Sequence, residues 1–307
     1  VDNIVLVNAA GKPMYRETDL IDVWFDSGSM PYAQLHYPFE GEMARGTEAD
    51  RQAMIHSDYE GTPIPPAYFP ADFINEGVDQ TRGWFFTLHA IATMIFDSVA
   101  FKNVISTGLV LDAKGNKMSK HVGNVTNPFE MMEKYGADPV RFYMMTNSEP
   151  WDNLKFDPEG VDEVRRKFFG TLYNTYSFLA LYANVDGFDP ETMLNQGNLA
   201  ERPEIDRWII SKANSLIINV CKQLNDYDPT RAGRLIDNFV NDDLSNWYVR
   251  LNRKRFWGKE MDSDKLNAYQ TLYSCLMTVA KLVAPFAPFY ADRLYHDLGG
   301  KMESVHL

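Results

Sequence analysis

Apolar positions change their period about midway along the chain. In the first half, short runs such as Ile4-Val5-Leu6-Val7, Val23-Trp24-Phe25 and Ala71-Asp72-Phe73-Ile74 predict extended segments. Between Gln80 and Phe96, the residues Trp84, Phe85, Leu88, Ile91, Ala92 and Ile95 recur at helical spacing, and Val104 to Leu111 is again strand-like. Strand, turn, helix and strand in that order predict a βαβ unit, in which ligands gather beyond the carboxyl ends of parallel strands. Glu76-Gly77-Val78-Asp79 falls at that position.

From about residue 127 onwards, helix punctuation takes over. Asn127-Pro128 with Glu130 reads as an N-cap, a proline at the first helical position and a capping-box carboxylate, closed by Gly136. Asp138-Pro139, Asp157-Pro158 and Asp228-Pro229 repeat the start signal. Four longer amphipathic patterns follow: Val161, Val164, Phe168, Leu172 and Tyr176; Trp208, Ile209, Leu216, Val220 and Leu224; Ile236, Phe239, Val240, Leu244, Trp247 and Leu251; and Leu272, Leu276, Val279 and Val283. The expected class is α/β followed by all-α, with residues 1–147 in the first domain and a helix bundle over 148–307. Loop chemistry in Thr146 to Asn153 sets that boundary, and no internal repeat or low-complexity tract is present.

Composition narrows the class. With 307 residues and 45% hydrophobic content, the chain can bury a core in each of two domains. No apolar run approaches the roughly 18 residues of a membrane helix, and Val1-Asp2-Asn3 offers neither an initiator Met nor a signal peptide, as expected of a piece of a longer cytoplasmic protein. Cys221 and Cys275 stand far apart without metal-ligand spacing, so no protein-bound metal and no disulfide scaffold is expected. A net charge of -12 argues against a general nucleic-acid coat and against DNA as partner. It leaves room for a local basic face, and Arg250, Arg253, Lys254 and Arg255 form the dense cationic cluster of the second half.

Two segments carry candidate chemistry. Asn116-Lys117-Met118-Ser119-Lys120-His121-Val122-Gly123-Asn124 sets two lysines three residues apart, with Gly115 and Gly123 on either side. Ammonium groups on flexible stems suit a polyphosphate whose charge shifts during reaction, although a charge run is more often simply solvated. Glu76-Gly77-Val78-Asp79-Gln80-Thr81-Arg82-Gly83-Trp84 gathers polar side chains around a glycine at a strand end. Its carboxylates and amide can accept from ribose hydroxyls and an α-ammonium. Acids at that place also serve merely as helix N-terminal charges.

The wording of these segments goes further than their physics. Lys117-Met118-Ser119-Lys120 followed by Gly123-Asn124 resembles the signature loop of class I aminoacyl-tRNA synthetases, with His121 where serine is common. Glu76 to Trp84 and Asp22-Val23-Trp24-Phe25-Asp26-Ser27-Gly28 resemble blocks of the isoleucyl-tRNA synthetases, and the likeness extends through Asp206-Arg207-Trp208, Asn241 to Tyr248 and Arg253 to Trp257. The resemblance implies the C-terminal half of a Rossmann-like nucleotide-binding catalytic domain followed by a helical anticodon-binding domain. It implies that Lys117 and Lys120 stabilise departing pyrophosphate and that Glu76, Gly77, Asp79, Gln80 and Lys120 hold ATP and aminoacyl-adenylate. Trp24 and Trp84 would wall the isoleucine pocket, and Arg250, Arg253, Lys254 and Arg255 would touch tRNA(Ile). ATP with Mg2+ enters as substrate, and a monomer is expected.

No His-x-Gly-His occurs in the chain, and the editing domain of this family is not seen either, so the chain alone is expected to be inactive. Three other readings compete: a valyl-type synthetase, a non-catalytic synthetase-like tRNA-binding module, and a nucleotidyltransferase that shares the fold. The Trp24 and Trp84 blocks disfavour the first, the intact lysine pair the second and the long helical half the third.

Overall fold

The computed structural model describes residues 5–15, 19, 22–37, 68–194 and 198–307, which fall into two compact units, Val1–Ser106 and Thr107–Leu307. In the first unit, Leu6–Val7 pairs antiparallel with Pro13–Met14. Ile4, the start of the expected strand, lies outside the described residues. The Asn8 carboxamide ties the turn by accepting the N–H groups of Ala10 and Lys12, both at 3.0 Å.

Val23-Trp24-Phe25 is helical, not extended. The helix Val23–Gly28 starts because the Asp22 carboxylate accepts the Trp24 N–H at 2.9 Å, a cap that outweighs the strand preference of three bulky apolar residues. The helix packs against Trp84–Phe96, and a Cβ at Gly28 would lie 2.9 Å from Ile91 Cδ1. Leu88, Ile91, Ala92 and Phe96 bury the inner face of Trp84–Phe96 against Tyr32, Phe69 and Ala100. The expected continuous helix from Gln80 is a 3-10 turn, Val78–Arg82, followed at Gly83 by the α-helix. The strand expected over Ala71 to Ile74 runs instead over Ile74–Gly77 and pairs with Val104–Thr107; the bridge before it, Ala71 with Phe101, is parallel, as the crossover requires.

Val104 to Leu111 is not one strand. It breaks at Gly108, whose backbone lies so close to Asp152 that a Cβ would sit 2.2 Å from the carbonyl oxygen, and resumes as Val110–Leu111, parallel to Leu154–Lys155. In the second unit, Val140, Tyr143, Leu154, Phe156 and Val161 form a small core, against which Met118 packs. Pro128–Tyr135 and Pro158–Val164 begin as expected, with Asn127 and Asp157 accepting the N–H groups of Phe129 and Glu159.

The amphipathic patterns fold as a bundle of Gly170–Asp186, Glu204–Asn225, Pro229–Asn238, Arg250–Phe256 and Ser263–Val283. Two π-helical stretches, Arg165–Phe169 and Phe239–Val249, interrupt the expected α-helical runs. Leu172, Ile209, Val220, Ile236, Leu244, Leu272 and Val279 are wholly buried in its core. Asp206 is buried too: both its oxygens take the Arg255 guanidinium, at 2.7 and 2.8 Å, and Tyr248 donates to it at 2.7 Å. Arg255 also grips Asp264, so one guanidinium joins Glu204–Asn225 to the start of Ser263–Val283.

Asp138-Pro139 does not start a helix. Ala137–Thr146 begins two residues before Pro139, after Gly136 at φ 94°, and Asp138 points inward to cap a different helix. Its carboxylate accepts the Tyr290 N–H at 2.6 Å, serving the Pro288–Asp297 helix, which has no side-chain cap of its own. Burial raises the Asp138 pKa, against the lowering pull of the Tyr290 and Phe289 N–H groups and Arg141. Asp138→Ala is expected to lower stability by about 1–2 kcal/mol in denaturant unfolding. Asp138→Asn keeps an acceptor and should cost less; equal losses would show that packing, not the cap, is at stake.

Candidate functional site

The lysine loop is built on a turn. The Asp112 carboxylate accepts the N–H groups of Lys114 and Asn116 at 3.0 and 2.7 Å, and Gly115 takes φ 85° inside the turn. Leu111 forms an isolated antiparallel bridge with Lys117, so the chain doubles back as it enters the loop. At the far side, the Ser119 carbonyl accepts the N–H groups of Val122 and Gly123, with Gly123 at φ 72°. Both conformations favour glycine, which explains the two glycines that flank the lysines.

Between these turns the side chains divide by role. Met118 turns into the Val140–Val161 core, while Lys117 and Lys120 are exposed and neither ammonium is ion-paired among the described residues. The Asn124 carboxamide crosses the loop: it accepts the Ser119 N–H at 2.8 Å and donates to Asp112 at 2.9 Å and to the Lys117 carbonyl at 3.2 Å. Asp112 is held below the usual carboxylate range, first by the Asn124 amide and then by the Asn116 N–H. Met118 and Asn124 belong to the motif quoted above but were given no role from the sequence, and Asp112 was not noticed. The usable signal is Asp112 and Gly115 at turn spacing, with an amide residue closing the segment.

In the first unit, Trp24, Gly77, Asp79, Gln80 and Trp84 come together. The Trp84 indole N–H donates to the Ser27 carbonyl at 3.0 Å, fixing its ring to the helix that carries Trp24. The Trp24 ring lies against Gly83, where a Cβ would be 3.0 Å from Cη2, and stays 44% exposed. The Gln80 carboxamide accepts the Trp84 N–H at 3.0 Å and donates to Asp79 at 3.3 Å. At Gly77 the Asp79 carboxylate lies over the backbone, its Oδ1 2.7 Å from where a Cβ would stand. Glu76 is exposed near the end of its strand, and its side chain bonds to no described residue. Lys117 and Lys120 belong to the other unit.

The four basic residues separate into two kinds. Arg250, Arg253 and Lys254 are exposed on the Arg250–Phe256 helix, with exposed Trp247 and Trp257 beyond its two ends. Arg255 is withdrawn to 14% side-chain exposure by its pairs with Asp206 and Asp264. Burial pulls its pKa down, but the bonds to those carboxylates outweigh that and raise it above the ordinary value. Its guanidinium is therefore spent inside the protein and does not join the cationic face.

Among the described residues there is no cluster of three or more His, Cys, Asp or Glu side chains arranged to hold a metal, and no helix is long and apolar enough to cross a membrane.

Comparisons with known proteins agree with this layout. Residues 2–157 match the family model for tRNA synthetases class I (I, L, M and V), and residues 206–307 match the anticodon-binding domain of tRNA ligase. The isoleucine–tRNA ligases of Bacteroides fragilis and Porphyromonas gingivalis are each 64% identical over all of this chain, and that of Clostridium acetobutylicum is 48% identical over 97% of it. The chain spans only about a quarter of these relatives, 26%, 25% and 27% of their lengths. Among solved structures, agnB2 LeuRS of Agrobacterium radiobacter K84, in a ternary complex with tRNA and LeuAMS, superposes with a TM-score of 0.64 at 19% identity, covering 98% of this chain and 35% of that one. Mycobacterium tuberculosis methionyl-tRNA synthetase with methionyl-adenylate gives 0.62 at 23% identity, covering 74% and 44%. These two likenesses bear on the fold, whereas the family match and the high identities bear on descent: the chain belongs to the class I tRNA synthetases of the I, L, M and V group.

Proposed function

We propose that the protein carrying this chain activates isoleucine with ATP and transfers it to tRNA(Ile), acting as a cytoplasmic monomer. The observation that carries the reading is the pair of ammonium groups of Lys117 and Lys120, exposed and without an ion pair among the described residues, on a loop anchored by Met118 and Asn124. The isoleucine carboxylate attacks the α-phosphate of ATP, the bond to the β-phosphate breaks, and pyrophosphate departs with extra negative charge. Two ammonium groups aimed at that charge stabilise the transition state more than the ground state. A hydroxyl at the tRNA 3′ end then takes the acyl group and AMP leaves. ATP enters with Mg2+ as its counter-ion.

Glu76, Gly77, Asp79 and Gln80 are assigned to the adenylate, Glu76 and Asp79 as acceptors and Gly77 as the point where the backbone comes closest. Trp24 and Trp84 form two walls of the side-chain pocket, whose apolar faces suit an aliphatic substrate. We take the catalytic part to end near residue 147 and the tRNA-binding part to begin at 148. Arg250, Arg253 and Lys254 are assigned to tRNA backbone, and Arg255 to holding the helix that displays them.

The direct test is amino-acid-dependent ATP–pyrophosphate exchange by the full-length protein with isoleucine, valine, leucine and methionine. Isoleucine is expected to support the strongest exchange and valine less, since one methylene in such a pocket is worth only about 1–3 kcal/mol, a figure for which this amino-acid pair is itself a standard worked case. Lys117→Ala or Lys120→Ala should lower kcat and leave isoleucine affinity in place. Exchange with none of the four would favour a tRNA-binding module without catalysis.

For the tRNA face, Arg250→Ala with Arg253→Ala should weaken tRNA binding and reduce its salt slope by about 2, with no change in melting temperature. Arg255→Ala leaves Asp206 buried without its cation and should cost about 3–5 kcal/mol of stability. Normal tRNA affinity in the first variant, or a stable fold in the second, would reverse these assignments.

A further inference from the structure

The two lysines sit on a loop with almost no regular structure, yet phosphate stabilisation demands reproducible placement, because an error of about 1 Å can cost on the order of a hundredfold in rate. Met118 fixes one side chain of the loop in the small core, but it does not set the direction of the peptide units on either side of it. The Leu111–Lys117 bridge and the Ser119 turn hold part of that backbone, and one carboxamide links the two. Asn124 accepts from Ser119 N–H, which directly precedes Lys120, and donates to the carbonyl of Lys117 itself, so both lysine backbones lie within one peptide unit of an Asn124 bond. Its third bond, to Asp112, ties the far end of the loop to the turn at its entry, where the same carboxylate also holds Lys114 and Asn116.

We propose that Asp112 and Asn124 form a latch that sets the backbone of the lysine loop and so positions Lys117 and Lys120 for the phosphates. They are positioning residues, acting through the lysines; the functional half of this inference rests on the adenylation reading above. The chemistry demands an amide at 124: one lobe must accept from Ser119 while the other donates to a carboxylate and a carbonyl. A carboxylate at 124 would set two acceptors against Asp112 and Lys117. Neither residue need approach the substrates, and His121, which departs from the family's usual serine, makes no side-chain bond to the latch.

The test uses the full-length protein and two readouts. Limited trypsin digestion, followed by mass spectrometry, measures opening of the loop without reference to any reaction. Asn124→Ala should speed cleavage after Lys117 and Lys120 by roughly tenfold, the loss of two or three modest hydrogen bonds, while cleavage after Lys114, inside the Asp112 turn, stays slow. Isoleucine-dependent exchange should show kcat lowered by about ten- to a hundredfold with KM for isoleucine unchanged. Asn124→Asp should behave like Asn124→Ala. Combining it with Asp112→Asn, which restores a donor–acceptor pair between the two side chains, should recover part of both losses, a recovery that general unfolding would not produce. Unchanged cleavage in Asn124→Ala overturns the latch, and faster cleavage with undiminished kcat overturns its positioning role. If the wild-type protein shows no exchange, the adenylation reading fails while the cleavage ratios still decide whether the latch exists.

Discussion

Two lysine ammonium groups without a counter-ion among the described residues, in a chain of net charge -12, are the constraint on which the rest of this architecture turns. An acidic protein offers many carboxylates to any exposed cation, and a lysine that finds one is no longer free for phosphate. Here the acids near the loop and in the bundle are committed elsewhere. Asp112 faces backbone N–H groups and an amide, Asp157 and Asp228 cap helices, and Asp206 takes Arg255. Most of these pairings look purely structural one by one. Together they leave the ammonium groups of Lys117 and Lys120 without a carboxylate partner among the described residues.

The same division of labour runs through the helical half. Charged residues that seem equivalent along the chain are used differently according to the face they occupy. Arg255 sits one residue from Lys254, yet one is sealed between two carboxylates and the other is exposed. The buried pair does not by itself argue for high stability, since desolvation consumes much of the attraction. Its value is geometric: Asp206, Asn252 and Asp264 all meet one guanidinium, with Tyr248 donating to the same Asp206, and together they set the helix that carries Arg250, Arg253 and Lys254.

Much of the helical half was legible from periodicity, because Leu, Ile and Val at helical spacing leave few alternatives once Asn127, Asp157 and Asp228 mark the starts. Most of the failures come from partners outside the local window, and one from a cap that was not weighed. Val23-Trp24-Phe25 has strand-like composition, but the cap at Asp22 and packing on Trp84–Phe96 make it helical. Asp138 looks like an N-cap and is one, for a helix about 150 residues further along whose own start carries no capping side chain. The break at Gly108 arises from a close approach to Asp152 that no window of sequence reveals. At the site, motif wording singled out the lysines and the tryptophans and included Asn124, but gave Asn124 no role, because an amide in a polar loop has no period and no charge.

The central claim is that a loop held from behind presents two free ammonium groups to the phosphates of ATP. It is tested most directly by a crystal structure of the full-length protein with ATP and an isoleucine analogue that lacks the reactive carboxylate. The account predicts both Nζ atoms within hydrogen-bond distance, roughly 2.7–3.2 Å, of β- or γ-phosphate oxygens, with the Asn124 amide still bonded to Ser119. Lysines turned to solvent or to a carboxylate, with the phosphates held by other groups, would contradict it.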